Sequence, residues 1–399
     1  MNTRTGIGLA NSADGEQCGR EVARAALDSL RADGAAPVPA LGLLFISHPQ
    51  TERVLRGVRE ALGDVPLIGA TSAGEYTHRG YVEDGAGLML VASSSIRFHP
   101  LSRTGWGRWL GRSRLLGKLQ GISTGGLGGT HHYRSLVIFP DDQSMNLDHV
   151  VEQAMSETAL LYDILGGPGP TIPAPPRTPA VLVNGRLYRA GLVGAELLSQ
   201  QPLGLSLANG WTPVSGPYRV TRTDSRRLVT LDGRPAREVY EDFLAEHNHV
   251  SGDLIPHDVL LRHPIGLCSA GRQTGDCKVS LVMDIDAAGA LEMTAPPPES
   301  SLVHILTMRP QAMLTAATRA VRAAQQKLNG ASSSGLLFID CMSTAMVLGE
   351  AHQQQQAAVR NALGEVPFLG FRSHGVLARL HGQVSGLYEC SVGTLMLPE

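Results

Sequence analysis

Two short stretches of this chain put hydroxyls, small residues and charge at the end of an apolar strand, a natural place for a ligand contact. In the first, Thr71-Ser72-Ala73-Gly74-Glu75 follows Pro66 to Ala70; in the second, Arg372-Ser373-His374-Gly375 follows Pro367 to Phe371. Small residues let backbone approach a ligand closely, and N–H groups in a turn form an anion-binding nest. Glu75 can hold an ammonium group and Arg372 a carboxylate, the latter through a bidentate fork. Together they suit an amino-acid-like ligand. The competing reading is that the small residues only permit tight packing and that Glu75 pairs with a local arginine such as Arg79.

Other residue types open other chemistries. Ala70-Thr71-Ser72-Ala73-Gly74 approximates a nucleophile elbow with alanine in place of its first glycine, so a small hydrolase using Ser72 or Cys341 is one alternative. An elbow needs strand, turn and helix, whereas this turn leads through Gly80 and Gly85 toward another strand. Cys341 reads first as a packed, inert thiol and, in the binding reading, as a wall opposite His374. His247, His249, His257 and His263 cluster in one region, which makes metal or haem binding another alternative, with His374 as a further candidate ligand. No motif identifies an axial ligand, and the leading reading needs no cofactor. Cys268 and Cys277 lie outside zinc-knuckle spacing, so no metal site is expected.

The elements that must position these residues are written twice. Gly42-Leu43-Leu44-Phe45-Ile46-Ser47 is matched by Gly335-Leu336-Leu337-Phe338-Ile339-Asp340, and ALGDVPLIGATSAGEY (61–76) by ALGEVPFLGFRSHGVL (362–377). In each copy an alanine-rich helix (Arg20 to Ala32; about Gln311 to Leu328) precedes the shared strand. A helix ending at Gly63 or Gly364 follows it, and then come two strands. The second copy lacks the carboxylate, with Val376 aligned to Glu75. Between the copies, Ser135 to Phe139 reads as a strand and Asn146 to Tyr162 as a helix. Asn184-Gly185 and Asp232-Gly233 mark turns, the former the tip of a hairpin. The expected fold is α/β, with mixed sheets and flanking helices, in two related domains (1–205 and 206–399) that carry an internal pseudo-repeat. A hollow between the matching strand ends is the expected ligand site.

The totals narrow the setting. The chain has 399 residues, 43% hydrophobic and 18% charged, with net charge -2, so it can bury a large core and has no whole-molecule field for nucleic acid. No stretch is long and apolar enough for a membrane span. Five cysteines without CxxC spacing suggest no disulfide framework, and the expected location is the reducing cytoplasm. The basic, glycine- and tryptophan-bearing segment 103–118 reads as a solvated excursion.

These stretches resemble the FIST family. The N-terminal resemblance runs from about Gly6 to Leu198, carried by Gly69-Ala70-Thr71-Ser72-Ala73-Gly74-Glu75 and Gly166-Gly167. The C-terminal one is carried by Gly210-Trp211-Thr212-Pro213-Val214, by Leu231-Asp232-Gly233-Arg234-Pro235-Ala236, by Tyr240 and by the second copy. The resemblance implies a small-molecule-binding sensory protein of signal transduction. No output module fits in the chain, so its signalling partner would act in trans. The chain departs from the family pattern where Met342-Ser343-Thr344 follows Cys341, where His374-Gly375-Val376 replaces a Gly-Glu turn, and at Tyr388-Glu389-Cys390.

Overall fold

The computed structural model describes residues 3–31, 37–104, 114–123, 130–170, 172–173, 176–177, 180–247, 255–268 and 277–399. The excursion at 103–118 and His249 therefore fall largely or wholly outside the described residues.

The first unit begins with β1 (Arg4–Ala10) and α1 (Gly15–Arg31), then β2 (Leu41–Ile46), α2 (Thr51–Leu62) and β3 (Leu67–Thr71). A short hairpin, β4 (Glu75–Thr77) with β5 (Gly80–Val82), leads to β6 (Ala86–Ala92). The apolar stripe of α1, Val22, Ala26 and Leu30, and that of α2, Val54, Val58 and Leu62, pack on one face of the sheet.

The second unit runs through β7 (Ile96–Thr104), α3 (Gln120–Ser123), β8 (Tyr133–Pro140), α4 (Leu147–Glu157) and β9 (Asp163–Gly166). A two-residue ladder, β10 (Ile172–Pro173) with β11 (Pro176–Arg177), follows. Then come the Asn184-Gly185 hairpin, β12 (Val181–Val183) with β13 (Arg186–Tyr188), and β14 (Gly191–Ser199).

The third unit opens with β15 (Gly204–Ala208) and is interrupted by an inserted, largely antiparallel sheet. That sheet holds β16 (Trp211–Asp224), β17 (Arg227–Leu231), β18 (Arg234–Pro235), β19 (Ile265–Cys268), β20 (Cys277–Ser280), β21 (Val282–Ile285), β22 (Leu291–Met293) and β23 (Leu302–Met308). Helices α5 (Ala236–Glu246) and α6 (His257–Arg262) cover it. The unit resumes with α7 (Pro310–Lys327), β24 (Ser333–Cys341), α8 (Met342–Leu348), α9 (His352–Leu363) and β25 (Phe368–Ser373). The hairpin β26 (Val376–Arg379) with β27 (Gly386–Tyr388) and the closing β28 (Val392–Pro398) end it.

The three units have the same topology. Their strands lie in the orders β1-β6-β2-β3, β7-β14-β8-β9 and β15-β28-β24-β25, and only the last pair in each is parallel. Each sheet is extended by a hairpin from another unit: β12-β13 on β3, β26-β27 on β9 and β4-β5 on β25. The exchange closes in a ring, so three units of like topology, one more than the two repeated stretches announce, are distributed over the two domains. The second unit escaped notice because its strands share the topology of the other two without sharing their words.

Register also corrects the equivalence suggested by the matching sequences. Gly69 lies beside Leu44 and Gly370 beside Phe338, so Phe45 corresponds to Ile339 rather than to Phe338. Leu43 and Phe45 face the common core together with Leu337 and Ile339, while Leu44 and Phe338 face the helices. A one-residue slip exchanges the two faces of a strand. At the centre, one phenyl ring from each unit meets the others. Phe45 stacks on Phe371 with centroids 3.6 Å apart, and Phe139 meets them edge-on at 5.2 and 6.0 Å.

Candidate functional site

The two stretches singled out in the sequence are in direct contact and leave no hollow between them. Ala73 N–H donates to the Arg372 carbonyl at 3.0 Å, Arg372 N–H donates to that of Gly74 at 2.9 Å, and His374 N–H donates to that of Pro168 at 3.1 Å. The expected space between matching strand ends is filled by these bonds and by the three rings beneath them. Glu75 lies opposite Phe371 in the β4–β25 ladder, so it shares a face with Phe371 and not with Arg372. The two charged side chains therefore leave the sheet on opposite faces.

Their side chains have separate partners. Glu75 is fully buried and accepts hydrogen bonds from Ser47 Oγ at 2.7 Å and from Ser72 Oγ. Arg372 lies over the Tyr81 ring at 4.3 Å, bonds the Tyr81 hydroxyl, and reaches His352 Nδ1 at 2.6 Å and Glu83 at 3.6 Å. His352 Nε2 is 2.7 Å from buried Asp340. An arginine only donates, so Nδ1 of His352 is the acceptor and Nε2 carries the proton toward Asp340. Burial, partly offset by Arg372, raises the Tyr81 hydroxyl pKa.

His374 and Cys341 belong to neither cluster. His374 Nδ1 bonds Asp142 at 2.9 Å, and this bond raises the imidazole pKa against the opposing effect of burial. Glu389, buried near them, accepts from Leu281 N–H at 2.9 Å and from Thr294 Oγ1; burial raises its pKa. Cys341 is fully buried, and burial pushes its thiol up to about 11, as an inert cysteine requires. Ser373 Oγ donates to the Gly375 carbonyl at 2.5 Å, which ties the loop to itself.

Ser72 lies on a turn between two strands, not at a strand-to-helix elbow, and its Oγ bonds a carboxylate. His247 and His263 bond the backbone carbonyls of Phe243 and Leu306, and no group of three or more His, Cys, Asp or Glu suited to a metal ion occurs among the described residues. Cys268 and Cys277, directly opposed where β19 pairs with β20, form a disulfide. It is a single cross-link, not a framework, but it removes the support that unpaired cysteines lent to a cytoplasmic location. No described helix is long and apolar enough to cross a membrane.

A cavity of about 510 Å³ adjoins the expected position at Thr71 and Ser72. Ile46, Thr71 and Ser72 form its floor at the C-terminal ends of β2 and β3, where α/β sheets commonly hold ligands. His48, Gln50, Glu52 and Arg53 line it from the start of α2, while Pro170, Ala180, Leu187 and Arg189 come from the second unit. His48 is fixed by Gln50 N–H donating to its Nδ1 at 3.0 Å, with Nε2 3.1 Å from the Ser12 carbonyl. Arg53 pairs with Asp14 at 2.6 Å. Thr71 is locked in place, donating to the Ala180 carbonyl at 3.3 Å and accepting from Ala180 N–H at 2.9 Å. Of the residues singled out in sequence, only Thr71 and Ser72 reach this cavity. His48, Glu52, Arg53 and Arg189 went unseen. The available signal was their place: His48 follows β2, Glu52 and Arg53 open α2, and Arg189 follows the Asn-Gly hairpin.

Comparison with known proteins bears on identity. No match was found among curated proteins. Two matching solved structures are phosphoribosylformylglycinamidine synthase II from Thermotoga maritima (12% identity, 99% of this chain and 72% of that one, TM-score 0.23) and PurLQS from the same organism (13%, 99% and 72%, TM-score 0.23). Those TM-scores are too low for either likeness to say anything of the fold. Residues 40–234 match the FIST N domain and residues 236–379 the FIST C domain. The chain thus belongs to the FIST family, whose domains are sensory modules of signal transduction.

Proposed function

We propose that this protein is a sensor whose small-molecule ligand binds in the cavity between the first unit and the hairpin of the second, and that occupancy is read by a signalling partner in trans. The observation that carries the reading is the composition of the cavity wall, since one side comes from β2, β3 and α2 and the other from β13 and its flanks. A ligand there touches two units at once and can favour one arrangement of them over another, the condition for a conformational signal. Arg53 and Arg189 on one hand and Glu52 on the other supply both signs of charge, so an amino-acid-like ligand fits this wall. Thr71 and Ser72 contact it. Glu75 holds Ser72 from behind, while Ala73, Gly74, Arg372, Ser373, His374 and Gly375 serve the junction between units and Cys341 is packed inside the third. Thermal-shift screening with small metabolites tests this, using Leu187→Trp to fill the cavity. Ligands should stabilise the native protein and not the variant; equal stabilisation of both would place binding elsewhere.

A further inference from the structure

The third unit repeats the frame of this cavity with a side chain of the protein inside it. Gly69 and Gly370 hold equivalent places, opposite Leu182 and Tyr76 respectively. Counting from them, Thr71 corresponds to Arg372, and Ile46, beside Thr71, to Asp340, beside Arg372. In the hairpins, Leu187 faces Leu182 as Tyr81 faces Tyr76, so Arg189 corresponds to Glu83.

The correspondence explains why one frame is open and the other filled. In the third unit the guanidinium of Arg372 occupies the frame, stacked on Tyr81 and paired with Glu83, with Asp340 behind His352. In the first unit threonine is too short to fill the same volume. Both carboxylates of the filled frame are also gone: Ile46 stands for Asp340, and Arg189, with its positive charge, stands for Glu83. A cation placed where the Arg372 guanidinium sits would meet Arg189 head-on. An anion there would be paired.

We infer that the ligand of this cavity carries a carboxylate, and that this group lies in the volume corresponding to the Arg372 guanidinium, paired with Arg189. The inference rests on the sensory reading above and adds the sign and place of the ligand's charge. Glu52, also on the wall, is left for a cationic group at the ligand's other end.

The test compares amino acids and short dicarboxylates such as succinate with their carboxamides, by calorimetry and thermal shift on the full chain. At least one acid should bind and its amide should not. Arg189→Ala should weaken the acid roughly 10- to 100-fold, the usual worth of a charge-assisted contact, and Arg189→Lys by less. The double variant Thr71→Arg with Arg189→Glu restores two members of the filled frame and places a guanidinium in the volume, so the folded variant should lose binding. An amide that binds as well as its acid, undiminished binding in the folded double variant, or no binding by any acid would overturn the inference. If a neutral or cationic probe binds and Leu187→Trp blocks it, the cavity reading stands and the carboxylate assignment falls. If acids bind equally to Leu187→Trp, both fall.

Discussion

Arg372 Nη2 lies 2.6 Å from Nδ1 of His352, and through that ring the guanidinium is joined to Asp340, a carboxylate with no solvent exposure. The chain of bonds links the first unit's hairpin to the third unit's sheet. Because Arg372 donates to Nδ1 and the imidazole donates its Nε2–H to Asp340, each member depends on the next.

Removing the buried acid should therefore be costly. Asp340→Ala leaves Arg372 with only the exposed Glu83 for charge, and we expect a loss of about 3 kcal/mol in urea unfolding. Combined with Arg372→Leu, the loss should be smaller than the sum of the two single effects. Additive effects would mean that the chain of bonds is not coupled.

The three-ring centre should be equally sensitive. Phe371→Ala removes the ring stacked on Phe45 and leaves a cavity at the meeting point of all three units, at a cost of about 3 to 5 kcal/mol. Loss of cooperativity, read as a broadened thermal transition, is expected alongside it. A change below about 1 kcal/mol would show that the centre relaxes to fill the gap.

Backbone proximity makes a third site unforgiving. A Cβ on Gly69 would stand 1.8 Å from the Leu44 carbonyl oxygen, a position that no side-chain rotation relieves. Gly69→Ala should destabilise the fold by about 3 kcal/mol or prevent its expression in soluble form. Gly80→Ala serves as the control, since its Cβ would meet nothing and only its positive φ is strained.

Stability should depend on pH through His374. Its pKa is raised above the ordinary 6.5 mainly by the bond to Asp142, with Glu389 adding to the rise and burial and Arg226 opposing it. A raised histidine contributes fully below its unfolded pKa and loses the contribution as pH climbs through the folded value. The urea midpoint should thus fall as pH rises from about 6.5 into the alkaline side of neutrality. Glu389, raised by burial, pushes in the same direction. His374→Gln should flatten the profile; an unchanged slope would remove His374 as its source.

Thiol chemistry supplies a fifth check. Burial pushes Cys18 up to about 12 and Cys341 up to about 11. Both should resist iodoacetamide at pH 8 in the folded protein and react on unfolding, as read by mass spectrometry. Rapid native labelling of Cys341 would revive it as a reactive group.

Much of this molecule was legible one segment at a time. The stripes of Val22, Ala26 and Leu30, and of Val54, Val58 and Leu62, announced helices because burial on one helical face needs that spacing. Asn184-Gly185 announced its hairpin, and the doubled ALGDVP/ALGEVP words announced two equivalent units. The sequence by itself thus determined the α/β class, many of the helices and strands, the family and two of the residues lining the cavity, Thr71 and Ser72. All of these follow from periodicity, turn chemistry and short-range identity. Only the tertiary structure decided that there are three units, that each lends its hairpin to another, that Phe45 corresponds to Ile339, and that Glu75 and Arg372 turn to different partners. Those outcomes depend on strand register and on contacts between residues far apart in the chain. A sequence shows which residues are alike, but not which face of a strand they take or whose hollow they fill.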